Sequence, residues 1–118
     1  MSAMIGKDCG QPAVVLRAVR LMERDPRLGT EKLNALLREA GVGRAVFDDE
    51  FALYVGMAPY EYLRVLRLSQ VHAELAAARP ERTRPEAVAR RWGFRYGTAF
   101  VRWYSQQFAE LPAQTLRG

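Results

Sequence analysis

The amino-acid sequence contains an internal repeat of two helix-forming segments separated by a glycine turn. In the first copy an apolar stripe of leucines ends at Gly41, and Phe47 lies in the segment that follows. The same order recurs about 50 residues later, where Gly93 ends an apolar stripe and Phe100 follows. Helix, tight turn, helix is the pattern of a helix-turn-helix. The repeat therefore predicts two such units in one chain.

Glycine, proline and capping residues divide the rest of the chain into helices. Asp25-Pro26 ends a first helix, Thr30 is placed to cap the second, and Thr83-Arg84-Pro85-Glu86 has the form of a capping box before the fifth. Residues 60–78 contain no Gly or Pro and predict one helix of about 28 Å. Pro112 opens a seventh helix. The prediction is an all-α fold of seven helices, with two helix-turn-helix subdomains joined by a long linker helix.

The domain boundaries follow from these breaks. The predicted segments are a flexible tail or linker remnant over 1–12, a first subdomain over 13–59, the linker helix over 60–79 and a second subdomain over 80–118. A linker helix of about 28 Å would place the second helices of the two units near one DNA helical repeat apart, about 34 Å. A single chain would then use two successive major grooves.

The net positive charge lies entirely in the second half of the chain. The sequence has 18 Lys and Arg against 13 Asp and Glu, a net charge of +5. Residues 1–59 are balanced, whereas residues 60–118 carry ten Arg and five Glu. A basic patch of this kind is typical of a surface that meets nucleic acid. We therefore expect the linker helix and the second unit to form the electrostatic footprint.

The sequence lacks the residues that several functional classes require. Cys9 is the sole cysteine, and His72 has no second histidine for a metal site. No phosphate-binding glycine loop, nucleophile elbow or paired catalytic carboxylate motif is present. The apolar runs are too short to span a bilayer, and the start lacks a signal-peptide core. We expect a cytoplasmic protein that has no catalytic activity, cofactor, metal or membrane partner.

The order of motifs over residues 13–117 resembles the C-terminal DNA-binding domain of the AraC/XylS family of bacterial transcription regulators. The motifs are Gly41-Val42-Gly43-Arg44 with Phe47 and Phe51, then 56–63 leading into Leu66-Arg67-Leu68, and 88–94 with Phe100, Tyr104, Phe108 and Leu111-Pro112. The resemblance implies a bilobed fold whose third and sixth helices enter adjacent major grooves of double-stranded DNA. Most members carry a separate effector-binding or dimerisation domain, so we expect an excised domain or a short single-domain member.

The resemblance also assigns the base-reading positions of the second unit. Carried over, they are Gly97, Thr98, Ala99, Val101 and Arg102. Arg102 is suited to a bidentate contact with guanine, Thr98 donates or accepts, and Ala99 or Val101 packs on a thymine methyl group. The candidates for phosphate contact around them are Arg79, Arg82, Thr83, Arg84, Arg90, Arg91, Arg95 and Tyr96.

The first unit departs from the family pattern on its reading helix. The corresponding positions are Arg44, Ala45, Val46, Asp48 and Asp49, and Glu50 follows. Consecutive carboxylates repel phosphates, although a single carboxylate accepts a hydrogen bond from cytosine N4. Three interpretations stay open at this point. The first unit binds DNA weakly, or an aspartate reads cytosine, or the unit contacts protein, such as RNA polymerase or an N-terminal effector or dimerisation domain.

The sequence thus predicts a sequence-specific transcription regulator that reads the major groove mainly through its sixth helix. The alternative from another class is a helix-turn-helix module whose acidic first unit mediates protein contact. The aromatic residues at helical spacing are expected in the core. Trp92 is expected there too. Two roles stay open for Trp103, which are packing on a neighbouring helix and contact with the sugar-phosphate backbone.

Overall fold

The structure is a computed structural model that describes the backbone of residues 2–118 and the side chains of residues 13–118. Within that part of the chain it contains seven α-helices and no strand, which confirms the predicted all-α fold. The helices are α1 (Ser2–Arg24), α2 (Thr30–Ala40), α3 (Arg44–Val55), α4 (Pro59–Ala77), α5 (Pro85–Arg91), α6 (Thr98–Phe108) and α7 (Pro112–Arg117). Helix α1 includes residues 2–12 of the segment that was predicted as a flexible tail or linker remnant, and the assignment of that segment stays a prediction.

The chain divides into two compact units, Met1–Leu63 and Arg64–Gly118. Helix α4 begins in the first unit and continues in the second. The first unit therefore contains α1–α3 with the start of α4, and the second contains the rest of α4 with α5–α7.

The core of the first unit is formed by one apolar stripe from each of its first three helices. In α1 the buried positions Val15, Ala18 and Met22 recur at the spacing of a helix face. Leu33 and Leu37 of α2 are buried in the same way. Phe47 and Phe51 of α3 are almost fully enclosed, with ring centroids 5.5 Å apart. The prediction that these two rings are core residues is confirmed.

The second unit has its own core, in which α6 supplies the largest side chains. The buried cluster consists of Leu68, Val71, Leu75, Val88, Ala89, Phe94, Phe100 and Tyr104. Phe100 and Tyr104 lie on one face of α6, with ring centroids 5.9 Å apart. The Tyr104 hydroxyl donates a hydrogen bond to Thr115 Oγ1 at 2.7 Å, so its polar atom is satisfied inside the core. Aromatic packing thereby fixes which face of α6 remains outside.

The two turns are built alike. Gly41 follows α2 with φ 72°, and Gly93 lies after α5 with φ 85°. In each turn the glycine N–H and the next N–H donate back to the last helical turn, which is the Schellman arrangement. Because L-residues with a side chain rarely adopt a positive φ, glycine suits both positions. The predicted left-handed stop at Gly41 is confirmed.

Two predicted N-caps are wrong. Gly29, in an extended conformation, occupies the N-cap of α2, so Thr30 is already the first helical residue. At α5 the N-cap is Arg84, without a side-chain cap, and the Thr83 capping box does not form. Proline favours an extended conformation in the residue before it, which places the start of this helix at Pro85 itself. A short 3₁₀ turn, Pro80–Arg82, precedes it.

Candidate nucleic-acid interface

Helix α6 presents three of the predicted base-reading side chains to solvent. Thr98, Ala99 and Arg102 are exposed, whereas Phe100 is buried on the opposite face. Their spacing over one helical turn places the three on one side of the helix. This face combines a hydrogen-bonding hydroxyl, a methyl group and a guanidinium, which are the groups that read base edges in a major groove.

The other two predicted positions lie differently. Gly97 is the half-buried N-cap of α6. Val101 is half-buried, and its side chain packs against the core of the second unit. The outward face of α6 therefore continues from Arg102 to the exposed Gln106, one turn further on. The sequence analysis did not select Gln106, although its spacing of four residues from Arg102 is a signal that could have found it.

The turn between α5 and α6 gathers several of the predicted phosphate contacts. Arg90, Arg95 and Tyr96 line an open depression of about 740 Å³, together with Glu86 and Gly93. Arg90 and Arg95 are exposed, and neither forms an ion pair within residues 13–118. Two basic side chains that have no acidic partner remain available for a phosphate group.

Tyr96 is held at the edge of this depression by the core. Its ring centroid lies 5.4 Å from that of Phe100. Burial, and then the nearby Glu86 carboxylate, raise the pKa of Tyr96 above its ordinary value. The hydroxyl is therefore protonated at neutral pH and can donate a hydrogen bond.

The remaining predicted phosphate contacts lie before α5 or within it. Three of them, Arg79, Arg82 and Arg84, follow the end of α4, are exposed and have no ion pair among the described residues. Thr83, which lies between them, is half-buried. Arg91 differs from this group because its Nη2 lies 2.7 Å from Glu74 Oε2. The structure thus leaves the first three guanidinium groups available and engages the fourth with α4.

Both tryptophans of the second unit take part in packing that positions α5 and α6. Trp92 is half-buried, and its Nε1 donates to the Glu74 carboxylate that also binds Arg91. The Arg64 guanidinium lies 4.3 Å from the centre of the Trp103 ring. Such a contact is a cation–π interaction, and it supports the expectation that Trp103 packs on a neighbouring helix.

The third helix presents a different chemistry. Ala45, Val46, Asp49 and Leu53 are exposed on the outward face of α3. Arg44 Nε donates to Asp48 Oδ1 at 3.0 Å, and its Nη1 donates to Asn34 on α2 at 3.3 Å. The one basic side chain of α3 is therefore bound within its own unit. No described residue forms an ion pair with Asp49.

The net charges of the two units have opposite signs. Residues 1–63 contain eight Lys and Arg against nine Asp and Glu, and residues 64–118 contain ten Arg against four Glu. The resulting formal charges are −1 and +6. Attraction of a polyanion is thus concentrated on the unit that contains α6.

The residues that the structure describes include neither a cluster of metal-binding side chains nor a helix able to span a membrane. Among those residues, no group of three or more His, Cys, Asp or Glu side chains is arranged to hold a metal ion. His72 instead stacks on Phe108, with centroids 4.2 Å apart, and its Nε2 lies 3.5 Å from Glu110 Oε2. None of the described helices has the length and apolar character needed to cross a membrane.

Comparison with known proteins identifies the family of this chain. A family model described as a helix-turn-helix domain matches residues 36–118. A regulatory protein from Ralstonia nicotianae, HrpB, is 33% identical over 66 residues, which are 56% of this chain. That match spans 14% of the length of the relative. No solved structure matches significantly. Since the family model covers most of the chain and both of its helix-turn-helix turns, the chain belongs to the AraC-type helix-turn-helix family of regulatory DNA-binding domains.

Proposed function

We propose that this chain is a sequence-specific regulator of transcription that binds double-stranded DNA and reads the major groove mainly through α6. The observation that carries the proposal is the exposed face of Thr98, Ala99 and Arg102, set in a unit with a formal charge of +6. A helix presents such a face to base edges when the surrounding cations hold it against the phosphates.

Each part of this surface has a separate task. Arg102 donates to guanine O6 and N7, Thr98 donates to or accepts from a neighbouring base, and Ala99 contacts a thymine methyl group. The cations at the turn, Arg90 and Arg95, bind phosphate oxygens and set the position of α6 along the groove. Base contacts thus supply the specificity, whereas phosphate contacts supply much of the affinity.

The first unit contributes less to DNA binding in this proposal. A groove lined with phosphates repels Asp49, and the only basic side chain of α3, Arg44, is bound to Asp48. Two apolar side chains, Val46 and Leu53, are also exposed on the helix. The acidic and apolar character of this face favours the second candidate function, in which the first unit contacts protein.

Selection from a pool of randomised duplexes, followed by sequencing, tests the proposal. We expect one recovered box with strong base preferences, occupied by α6, and weak or absent preferences at a second box. Recovery of no preferred sequence would contradict specific reading.

A salt titration on the selected duplex supplies the second readout. The slope of log affinity against log salt should be about −0.9 for each phosphate that the protein neutralises. Replacing Arg95 with alanine should reduce the magnitude of the slope by about 1 and weaken binding to every sequence alike. Affinity that is micromolar or weaker on every sequence and does not change with salt would favour the protein-interaction module instead.

A further inference from the structure

The first unit carries an acidic and apolar surface on the outward side of α3, which we call the α3 face. Val46 and Leu53 are 48% and 72% exposed, and they stand seven residues apart, which places them on the same side of the helix. Asp49, exposed, and Glu50, half-buried, lie between them. Exposed large aliphatic side chains beside carboxylates are unsuited to a phosphate-lined groove, and they are suited to a partner that is both apolar and basic.

The same unit carries a surface of that second kind between α1 and α2. Leu21 and Leu36 form the apolar floor of two adjoining depressions of about 730 and 330 Å³. The cations that border this floor are Arg17, Arg20 and Arg24 of α1 and Lys32 and Arg38 of α2. We call this surface the basic groove.

Most of the charge in the basic groove is available to a partner. Arg20, Arg24 and Arg38 form no ion pair with any residue whose side chain the structure describes. Lys32 lies 3.5 Å from Asp25 in an exposed pair. Among the described residues, Glu39 is the one carboxylate that lines the groove, and it is bound to Arg17 at 3.0 Å. The groove thus presents unpaired cations around an apolar floor.

We propose that the α3 face of one copy of this chain docks in the basic groove of a second copy. Asp49 and Glu50 would meet Arg20 and Arg24, while Leu53 would cover the apolar floor. The two surfaces match in both properties at once. The α3 face places carboxylates beside exposed aliphatic side chains, and the groove places cations around an apolar floor formed by the half-buried Leu21 and the buried Leu36. The occupant is thereby identified from the chain itself.

The signs of the charges on the two surfaces also determine which surfaces of two copies can meet. A symmetric contact between two α3 faces would bring Asp49 and Glu50 against their own copies, and a symmetric contact between two grooves would oppose arginines. Like charges across an interface are unfavourable. The α3 face therefore meets a groove and not its own copy. The proposed contact is head to tail, in which each copy uses one surface and leaves the other open for a further copy.

The interaction should be weak and sensitive to salt. One face of a three-turn helix is smaller than the roughly 800 Å² per partner that stable complexes bury. Its charges are exposed, so added salt screens them. A weak head-to-tail contact of this kind would act when two copies are held close together, for example on neighbouring DNA boxes.

Sedimentation velocity of the full chain without DNA is the first measurement. The weight-average mass should rise with protein concentration at low salt and return toward that of one chain at high salt. A constant monomer mass up to millimolar concentration would overturn the proposal. Since DNA is absent, this result is independent of whether α6 reads a duplex.

Two complementary variants give the decisive measurement. D49R with L53S removes the α3 face, and R20A with R24A removes the basic groove. Each variant alone should stay monomeric. Their mixture should form a dimer that does not grow further, because the intact face of one chain fits the intact groove of the other. A mixture that stays monomeric while the unmodified chain associates would place the contact elsewhere and overturn the proposal.

A matched control separates this contact from a general effect of charge. E81R changes the net charge as much as D49R does, but it lies on an exposed position of the second unit. It should associate like the unmodified chain. Equal loss of association in E81R and D49R would show that net charge, and not the α3 face, controls the association. Circular dichroism checks that all variants keep their helix content.

Discussion

The α2–α3 and α5–α6 pairs share a backbone design and differ in the side chains that their second helices turn outward. Both end the first helix with a left-handed glycine, Gly41 or Gly93, and both bury an aromatic ring at the same place, Phe47 or Phe100. Counted from these rings, the exposed Arg102 of α6 corresponds to Asp49 of α3. The comparison shows that the buried residues maintain the helix-turn-helix fold, while the exposed residues of the second helix determine which partner it binds.

The two pairs also differ in the cations of their second helices and turns. In α3, Arg44 is paired with Asp48 at 3.0 Å, although Arg20, Arg24 and Arg38 elsewhere in the first unit have no ion pair among the described residues. In the second unit Arg90, Arg95 and Arg102 have no such partner among the described residues. Exposed ion pairs contribute little to stability. The main consequence of pairing is therefore electrostatic, because paired cations attract a polyanion less than free ones do.

The largest effects on stability and DNA binding are expected when the equivalent core ring is removed from each unit. Phe47→Ala and Phe100→Ala should each lower the free energy of unfolding of their own unit by about 3–5 kcal/mol, since each leaves a cavity in a core. We expect Phe100→Ala to abolish DNA binding and Phe47→Ala to retain most of it. Thermal unfolding followed by circular dichroism, with duplex affinity from fluorescence anisotropy, measures both effects. Equal loss of affinity in the two variants would show that the first unit is needed as much as the second.

The next largest effect is expected at the outward face of α6. Arg102→Ala should weaken binding to the selected duplex by about 1–3 kcal/mol and relax the preference at one base pair. Arg117→Ala is the matched control, because Arg117 is also exposed but lies on α7. Affinities on the preferred duplex and on its single-base variants measure the change. An equal loss on every sequence would make Arg102 a phosphate contact.

The helices of both units could be predicted because their signals are local. A buried face every three to four residues and a glycine with positive φ depend on neighbours along the chain, so Phe47, Phe100 and the stop at Gly41 could be recognised in the sequence. The N-caps at Gly29 and Arg84 were missed, because a suitable hydroxyl residue nearby does not determine which residue leaves the helical conformation.

The sequence did not predict which arginines form ion pairs or hydrogen bonds within the protein. Arg91 was selected as a phosphate contact, yet it binds Glu74, which lies 17 residues away on another helix. Arg44 was selected as a base reader, and it binds Asp48 together with Asn34 of α2. Such pairs depend on how helices pack, and composition or spacing alone does not report that packing.

The residues that end α3 and α6 predict smaller changes in stability, of opposite sign in the two units. Gly56 ends α3 with φ 91°, and Ala109 ends α6 with φ 59°. A side chain costs about 1–2 kcal/mol in this left-handed region. We therefore expect Gly56→Ala to destabilise the first unit by about 1 kcal/mol and Ala109→Gly to stabilise the second by a similar amount. Thermal unfolding of both variants measures the shifts, and shifts of the same sign would contradict this explanation of the caps.

The smallest predicted effect concerns the carboxylate of α3 that has the position of Arg102. Asp49→Asn should raise the affinity for duplexes of mixed sequence a few fold, because it removes a charge that repels phosphates while keeping the size of the side chain. Competition between labelled and unlabelled duplexes measures this change, and the gain should shrink as salt is added. The control Glu81→Gln removes an equal charge from an exposed position of the second unit. If Asp49→Asn instead loses affinity at a single C·G pair, then Asp49 accepts a hydrogen bond from cytosine, and both units read DNA through opposite charges.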